Sequence, residues 1–399
     1  MSLISNSLKR IKPSPTITVT QKARELKAAG KDVIGLSMGE PDFNTPESIK
    51  KAAIDAINRN ETKYTSVDGT TKLKNAIANK FKKENNLNYS IEQISVGTGG
   101  KQVIFNALLG TINPGDEVII PAPHWVSYPD IVLLAGGIPK IIKCTEENEF
   151  KITPEQLKNN ISNKTKWFII NSPSNPTGSC YTKKEIEDLG EVLKKNKNVF
   201  ILSDDIYEHI TYDNFKFFTI GQIQDLKERT LTMNGVSKSY AMTGWRIGYA
   251  GGPKEIIDVM RKLQSQSTTN PSSISQAAAV EALNGTQNFI EERNKSFKER
   301  RDFIVNSLNE IDGISCLKPS GAFYVFPNCS KFFNKKDKQG KKIINDTEFV
   351  TSLLENYHVA VVQGSAFGLE GYFRVSYATS MDNLKKALER ISNFCKSLS

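Results

Sequence analysis

No apolar run in this sequence approaches the roughly 20 residues that a membrane-crossing helix needs, so a membrane protein is not expected. The first ten residues, Met1-Ser-Leu-Ile-Ser-Asn-Ser-Leu-Lys-Arg10, lack the apolar core of a secretory signal. Cysteine is scarce. Cys144, Cys180, Cys316, Cys329 and Cys395 are odd in number, far apart and form no C-x-x-C pair, which argues against both a structural zinc and a disulfide framework. A reducing, cytoplasmic setting is the expectation. Histidine is scarcer still: His124, His209 and His358 are the only three, and their spacing suggests neither a His-based hydrolase nor a metal cluster. No metal is predicted. There is no internal repeat and no low-complexity linker.

What is present is an ordinary globular composition, 38% hydrophobic and 24% charged, in 399 residues, enough for two domains. Basic side chains number 53 against 43 acidic ones, a net charge of +10 that would suit nucleic acid or an anionic small substrate. The lysines are scattered, however. The one dense patch, Lys331 to Lys342, reads as a solvated loop, so no nucleic-acid partner is predicted.

The periodicity divides the chain. Residues 1–16 read as an irregular arm, with Pro13 and Pro15 opposing helix, and a helix pattern runs from Ile17 to Ala29. From Ile91 onward short apolar strands alternate with helices, which predicts an α/β fold with a mostly parallel sheet covered on both faces. After about residue 285 the texture turns to α+β. The expected domains are therefore a large one over 46–285 and a smaller one built from both termini, 17–45 with 286–399.

Four strands in the first region end in polar groups: at Gly97 to Lys101, Asn171 to Asn175, Asp204 to Tyr207, and Ser237-Lys238. In open α/β sheets such ends converge on one crevice, where ligands bind. Gly99-Gly-Lys101, entering a helix, offers free backbone N–H groups at the positive end of the helix dipole, either as a phosphate cradle or as a simple turn. It matches neither a P-loop nor a dinucleotide fingerprint. Lys238 lies among small and hydroxyl residues after an apolar strand. Desolvation there would make its amine a nucleophile able to form a Schiff base with a carbonyl. The alternative is a surface lysine beside a turn. Arg246, eight positions on, is either a bidentate phosphate clamp or half of a buried ion pair.

Taken together, the chain resembles the class I pyridoxal phosphate (PLP)-dependent aminotransferases of fold type I. The resemblance rests on Ser237-Lys-Ser-Tyr-Ala-Met-Thr-Gly-Trp-Arg246, Gly39-Glu-Pro-Asp-Phe43, Lys63-Tyr64, Gly99-Gly-Lys-Gln102, Trp125-Val-Ser-Tyr-Pro129, Asn171-Ser-Pro-Ser-Asn-Pro-Thr-Gly178, Ser203-Asp-Asp-Ile-Tyr207 and Phe373-Arg-Val-Ser-Tyr377. These occur in family order from about residue 10 to about residue 390. Within the family the chain is most similar to bacterial aspartate aminotransferases carrying Gly-Gly-Lys at the phosphate turn.

The resemblance implies a homodimeric aspartate aminotransferase with shared active sites, working by ping-pong chemistry with a 2-oxo acid. Lys238 would hold PLP as an aldimine and shuttle a proton. Asp204 would keep the pyridine nitrogen protonated, while Asp205 faces elsewhere. Asn175 and Tyr207 would hydrogen-bond the cofactor's phenolic oxygen, and Trp125 would stack on the ring. Ser237, Arg246, Gly99, Gly100 and Lys101 would hold the phosphate, with Tyr64 arriving from the second subunit. For the substrate, Arg374 would clamp the α-carboxylate, Gly39 would approach by its backbone, and Lys101 is the candidate for a side-chain carboxylate. Lys12 and Thr16 would line the same pocket; in related enzymes such residues accompany use of prephenate. His124 departs from the commoner tyrosine, and a packing change is expected. Ala122-Pro123 and Asn175-Pro176 resemble sites of cis proline. The rivals are a prephenate or aromatic aminotransferase, a carbon–sulfur lyase of the same fold, and a PLP-fold transcription regulator; the last would need a helix-turn-helix domain ahead of the resemblance.

Overall fold

A computed structural model describes residues 3–11, 13 and 15–399, without the side chains of residues 15–18. Its first helix, α1 (Pro15–Ala28), begins two residues earlier than the periodicity suggested. Pro15 does not block the helix but opens it, because the first turn has no use for a proline's missing N–H. A two-residue strand, β1 (Ile34–Gly35), then leads through the Gly39 turn to α2 (Glu47–Asn58) and α3 (Thr71–Asn85). Thr70 caps α3 through its side chain, and Asn86 ends it in the left-handed conformation.

The centre is a seven-stranded sheet. Its strands are β2 (Ile94–Gly97), β3 (Glu117–Ala122), β4 (Ile138–Lys143), β5 (Thr165–Asn171), β6 (Phe200–Asp204), β7 (Thr230–Gly235) and β8 (Gly248–Gly251). They lie in the order β2-β8-β7-β6-β5-β3-β4, and β8 alone runs antiparallel to its neighbours. The connecting helices are α4 (Gly100–Thr111), α5 (Ser127–Leu134), α6 (Pro154–Asn160), α7 (Lys183–Lys195) and α8 (Lys254–Ser265). Successive side chains of a strand face opposite ways. Accordingly Val118, Ile120, Trp167 and Ile169 join α4 and α8 in one core, while Ile119, Phe168, Ile170 and Ile201 join α7 in another. Both faces are buried, which is why these strands read as continuous apolar runs.

Beyond α9 (Ser273–Asn284) the long α10 (Asn288–Asn309) leaves the sheet. Then follow β9 (Tyr324–Val325), α11 (Asp346–Tyr357), β10 (Val359–Ala360), β11 (Val362–Gln363), β12 (Phe373–Ser376) and α12 (Met381–Ser397). β10 pairs in parallel with β1, and β11-β12-β9 form an antiparallel sheet. Ile34 and Leu36 share an apolar core with Phe297, Leu353, Phe373 and Phe394, so residues near the N-terminus fold together with those near the C-terminus. Tyr207 belongs to that same core and joins it to the end of β6.

The parallel strands β2, β5, β6 and β7 all end on one edge, at Gly97, Asn171, Asp204 and Gly235. Gly248, the first residue of β8, pairs with both Gly97 and Gly235 there. A Cβ on Gly248 would lie 2.2 Å from the Gly100 nitrogen, so only glycine lets the phosphate-type turn rest against the sheet. Among the described residues two X-Pro bonds are cis, Ala122-Pro123 and Ser172-Pro173. The second corrects the expectation of Asn175-Pro176: the cis bond falls three residues earlier, directly after β5.

Candidate active site

Along that edge lies a cavity of about 580 Å³ whose walls include Gly39, Gly100, Lys101, Trp125, Asn175, Asp204, Tyr207, Ser237, Lys238, Arg246 and Arg374. Asp204, the last residue of β6, is buried and accepts a 2.5 Å hydrogen bond from the Tyr128 hydroxyl of α5. Burial pushes its pKa up to about 6, which the Tyr128 hydrogen bond opposes. The next residue turns the other way. Asp205 accepts from the Ser203 hydroxyl at 2.6 Å and leaves its second oxygen unpartnered; burial pushes its pKa up to about 7.

Lys238 stands three residues past β7 on the cavity wall. Its ammonium donates to the Gly39 carbonyl at 2.5 Å and lies 5.9 Å above the Tyr207 ring. Desolvation first, then repulsion from Arg374, pulls its pKa down to about 8. An amine so placed is partly neutral near physiological pH and faces an enclosed space, the condition for carbonyl addition.

The phosphate-type turn is shaped around an arginine. Gly99 has φ +83°, a conformation that favours glycine, and the Arg246 guanidinium lies where a Cβ at this position would stand, 2.1 Å away. Arg246 is itself left-handed at φ +56° and donates to the Thr243 carbonyl at 2.6 Å, which holds its fork toward the turn. With the first amides of α4 these groups form a positive pocket. Ser237 is buried beside Lys238 and joins the same wall. Trp125 packs edge-on to Tyr128 at 5.2 Å, and the Lys101 ammonium lies 5.1 Å from the Trp125 ring. Burial and then Arg246 lower the Lys101 pKa.

Arg374 comes from β12 and is buried. It donates to the Asn175 side-chain oxygen at 2.9 Å and to the Ser37 carbonyl, while its Nε, also buried, has no partner. Its guanidinium sits 4.7 Å from the Tyr324 ring and 5.0 Å from that of Phe367. Among the described residues no carboxylate pairs with this buried cation, so it keeps a donor able to meet an anion.

Not every expected residue stands in this cavity. Tyr64 lies in the loop between α2 and α3, 90% exposed and outside the cavity of its own chain. Lys12 lies outside the described residues, and so does the side chain of Thr16, whose backbone is in α1. His124 is buried with Nδ1 3.0 Å from the Trp125 carbonyl, and burial lowers its pKa to about 4. Glu84, Glu208 and His209 come close enough to suggest metal ligands, but the buried Lys80 ammonium already pairs with Glu208. Sequence reasoning overlooked two residues. Tyr128 carried a usable signal, since it follows Trp125 by three positions at the start of a helix. Tyr324 carried none; it reads as one more aromatic in a strand.

A cavity with a desolvated carboxylate, a desolvated amine, a glycine-arginine cradle and a buried arginine fits a phosphorylated aldehyde cofactor. The sequence model of the family Aminotransferase class I and II matches residues 31–391. The chain belongs to that family and is a PLP-dependent aminotransferase. A probable aspartate/prephenate aminotransferase of Rhizobium leguminosarum bv. phaseoli is 58% identical over 396 residues, covering 99% of both chains. The aspartate/prephenate aminotransferase of Cereibacter sphaeroides is 56% identical over 400 residues, covering 100% of both. The crystal structure of the aspartate aminotransferase from Rhizobium meliloti superposes with a TM-score of 0.97 at 52% identity, covering 100% of each chain. That of the Thermus thermophilus enzyme with maleate gives 0.93 at 41%, covering 99% of this chain and 100% of that one.

Proposed function

We propose that this enzyme moves the amino group between L-aspartate and 2-oxoglutarate by ping-pong chemistry. The observation that carries the reading is the cavity's lining: Arg374 and Lys101 share its walls with Lys238 and Asp204. Two cations suit a substrate with two carboxylates. The relatives named for aspartate, and the one solved with a dicarboxylate, support it.

When bound, PLP supplies an electron-withdrawing ring that stabilises negative charge at the substrate Cα. Asp204 would serve the ring nitrogen, where an ionised carboxylate keeps a proton in place; Tyr128 holds that carboxylate. The glycine turn, Ser237 and Arg246 hold the phosphate. Asn175 and Tyr207 would hydrogen-bond the phenolic oxygen, and Trp125 would stack on the ring. Lys238 anchors the cofactor and afterwards carries a proton from the substrate Cα, a transfer its lowered pKa favours. Arg374 orients the α-carboxylate with a fork that Asn175 and Ser37 already aim. Gly39 presents backbone to the substrate, and Lys101 takes the distal carboxylate.

In this reading the chain has two domains, 46–285 and 17–45 with 286–399, so that substrate on Arg374 draws the second toward the first and excludes water. It works as a homodimer, and the exposure of Tyr64 supports its reaching a partner's phosphate. All five cysteines are buried free thiols, which supports a reducing cytoplasm. Prephenate is the second reading; the names of the relatives and the roomy cavity favour it, and Lys12 and Thr16 would serve it. The test is a substrate panel on purified enzyme. Aspartate with 2-oxoglutarate should give oxaloacetate and glutamate, with prephenate included as the competing acceptor; no turnover of aspartate would end the proposal.

A further inference from the structure

Tyr324 is fully buried on β9 and touches three parts of the site at once. Its hydroxyl lies 2.8 Å from that of Tyr207. Its ring carries the Arg374 guanidinium at 4.7 Å. A Cβ on Gly39 would meet the Tyr324 oxygen at 2.8 Å, so the Gly39 turn rests on that hydroxyl only because it lacks a side chain.

Two phenols in contact share one of their two protons. If Tyr207 donated, the Tyr324 proton would need another acceptor, and among the described residues its hydroxyl hydrogen-bonds only with Tyr207. A buried unsatisfied donor is costly. If Tyr324 donates, the Tyr207 proton is free to point into the cavity, which Tyr207 lines and Tyr324 does not. Arg374 makes both phenols more acidic, but Asp204 opposes this at Tyr207 only, so Tyr324 is the better donor. The other charged groups facing Tyr207, Asp204 and Lys238, lie on the cavity side.

We propose that Tyr324 is a positioning residue: its O–H donates to Tyr207 and thereby aims the Tyr207 proton at the cofactor's phenolic oxygen, while its ring seats the Arg374 clamp. The substrate's carboxylate and the cofactor's phenolic oxygen are thus served by one side chain. This rests on the cofactor placement given under the proposed function.

Tyr324→Phe separates the roles, since it keeps the ring and removes only the hydroxyl. The readout is the pH midpoint of the absorbance of the lysine-linked cofactor, measured without substrate. A weaker hydrogen bond from Tyr207 should raise that midpoint by about 0.5–1 unit. Affinity for maleate, used as an unreactive dicarboxylate probe, should be retained. Tyr324→Leu should lose about tenfold in maleate affinity as well. Adding Tyr324→Phe to Tyr207→Phe should move the midpoint no further than Tyr207→Phe alone. A midpoint that stays put or falls in Tyr324→Phe, additive shifts in the double variant, or wild-type maleate affinity in Tyr324→Leu would overturn the assignment. If wild-type enzyme itself shows no pH-dependent lysine-linked absorbance, the functional reading fails instead. Thermal melting of the cofactor-free variants separates these outcomes from a loss of fold.

Discussion

The Tyr128 hydroxyl and the Asp204 carboxylate lie 2.5 Å apart at the carboxyl end of β6, and both residues line the cavity. The pairing opposes what burial does to Asp204, whose pKa stands at about 6 with the hydrogen bond in place. Tyr128→Phe should therefore leave Asp204 less ionised at neutral pH and a weaker partner for a protonated ring nitrogen. We expect kcat to fall roughly tenfold and cofactor to dissociate more readily, on the scale of one hydrogen bond to a charged group. Steady-state rates and cofactor titration check this, and wild-type values for both would remove Tyr128 from the machinery.

Lys101 distinguishes a substrate role from a phosphate role. Lys101→Ser should reduce kcat/KM for aspartate by roughly 100-fold, because a buried carboxylate loses its charge partner. Alanine and phenylalanine should lose far less. Equal losses for all three amino acids would assign Lys101 to the phosphate.

Behind the site, Lys80 of α3 is ion-paired with Glu208, which also accepts from Asn85 and from Asn234 on β7. Removing one member of a buried pair leaves the other charge uncompensated, typically costing about 3–5 kcal/mol. Lys80→Met should show that loss in chemical denaturation. Lys80→Met combined with Glu208→Gln should recover part of it, and a single variant as stable as wild type would contradict the arrangement.

Asp205 predicts a pH dependence of stability. Burial raises its folded pKa to about 7, above the ordinary carboxylate value, so its protonated form favours the fold. That contribution is complete below about pH 4 and is lost as pH rises through about 7. Asp205→Asn supplies a neutral side chain at every pH. Its melting temperature should exceed wild type's by a few degrees above pH 7, and the difference should shrink toward pH 4. Parallel curves would show that Asp205 is not held protonated by the fold.

Much of the fold was legible because burial on both faces leaves its mark in sequence. Lys166 to Asn171 and Arg229 to Met233 read as strands leading to polar groups, and those ends do share one edge of the sheet. Asp204 was legible for the same reason. The helix at Ser127–Leu134 escaped notice because Pro129 falls in its first turn, where proline is tolerated but looks like a breaker. Pro15 misled in the same way at α1. Tyr324 was invisible because its partners Tyr207 and Arg374 come from β6's end and β12, and no local pattern records which strands will meet.

The covalent anchor is the point on which the account turns. Borohydride reduction of the cofactor-loaded enzyme, followed by proteolysis and mass spectrometry, reports which amine carries the cofactor. The account predicts the added mass on the peptide containing Lys238 and, in Lys238→Ala, cofactor that binds but is not fixed by borohydride. Label on Lys101 or any other lysine of the wild-type enzyme, with Lys238 unmodified, would contradict it.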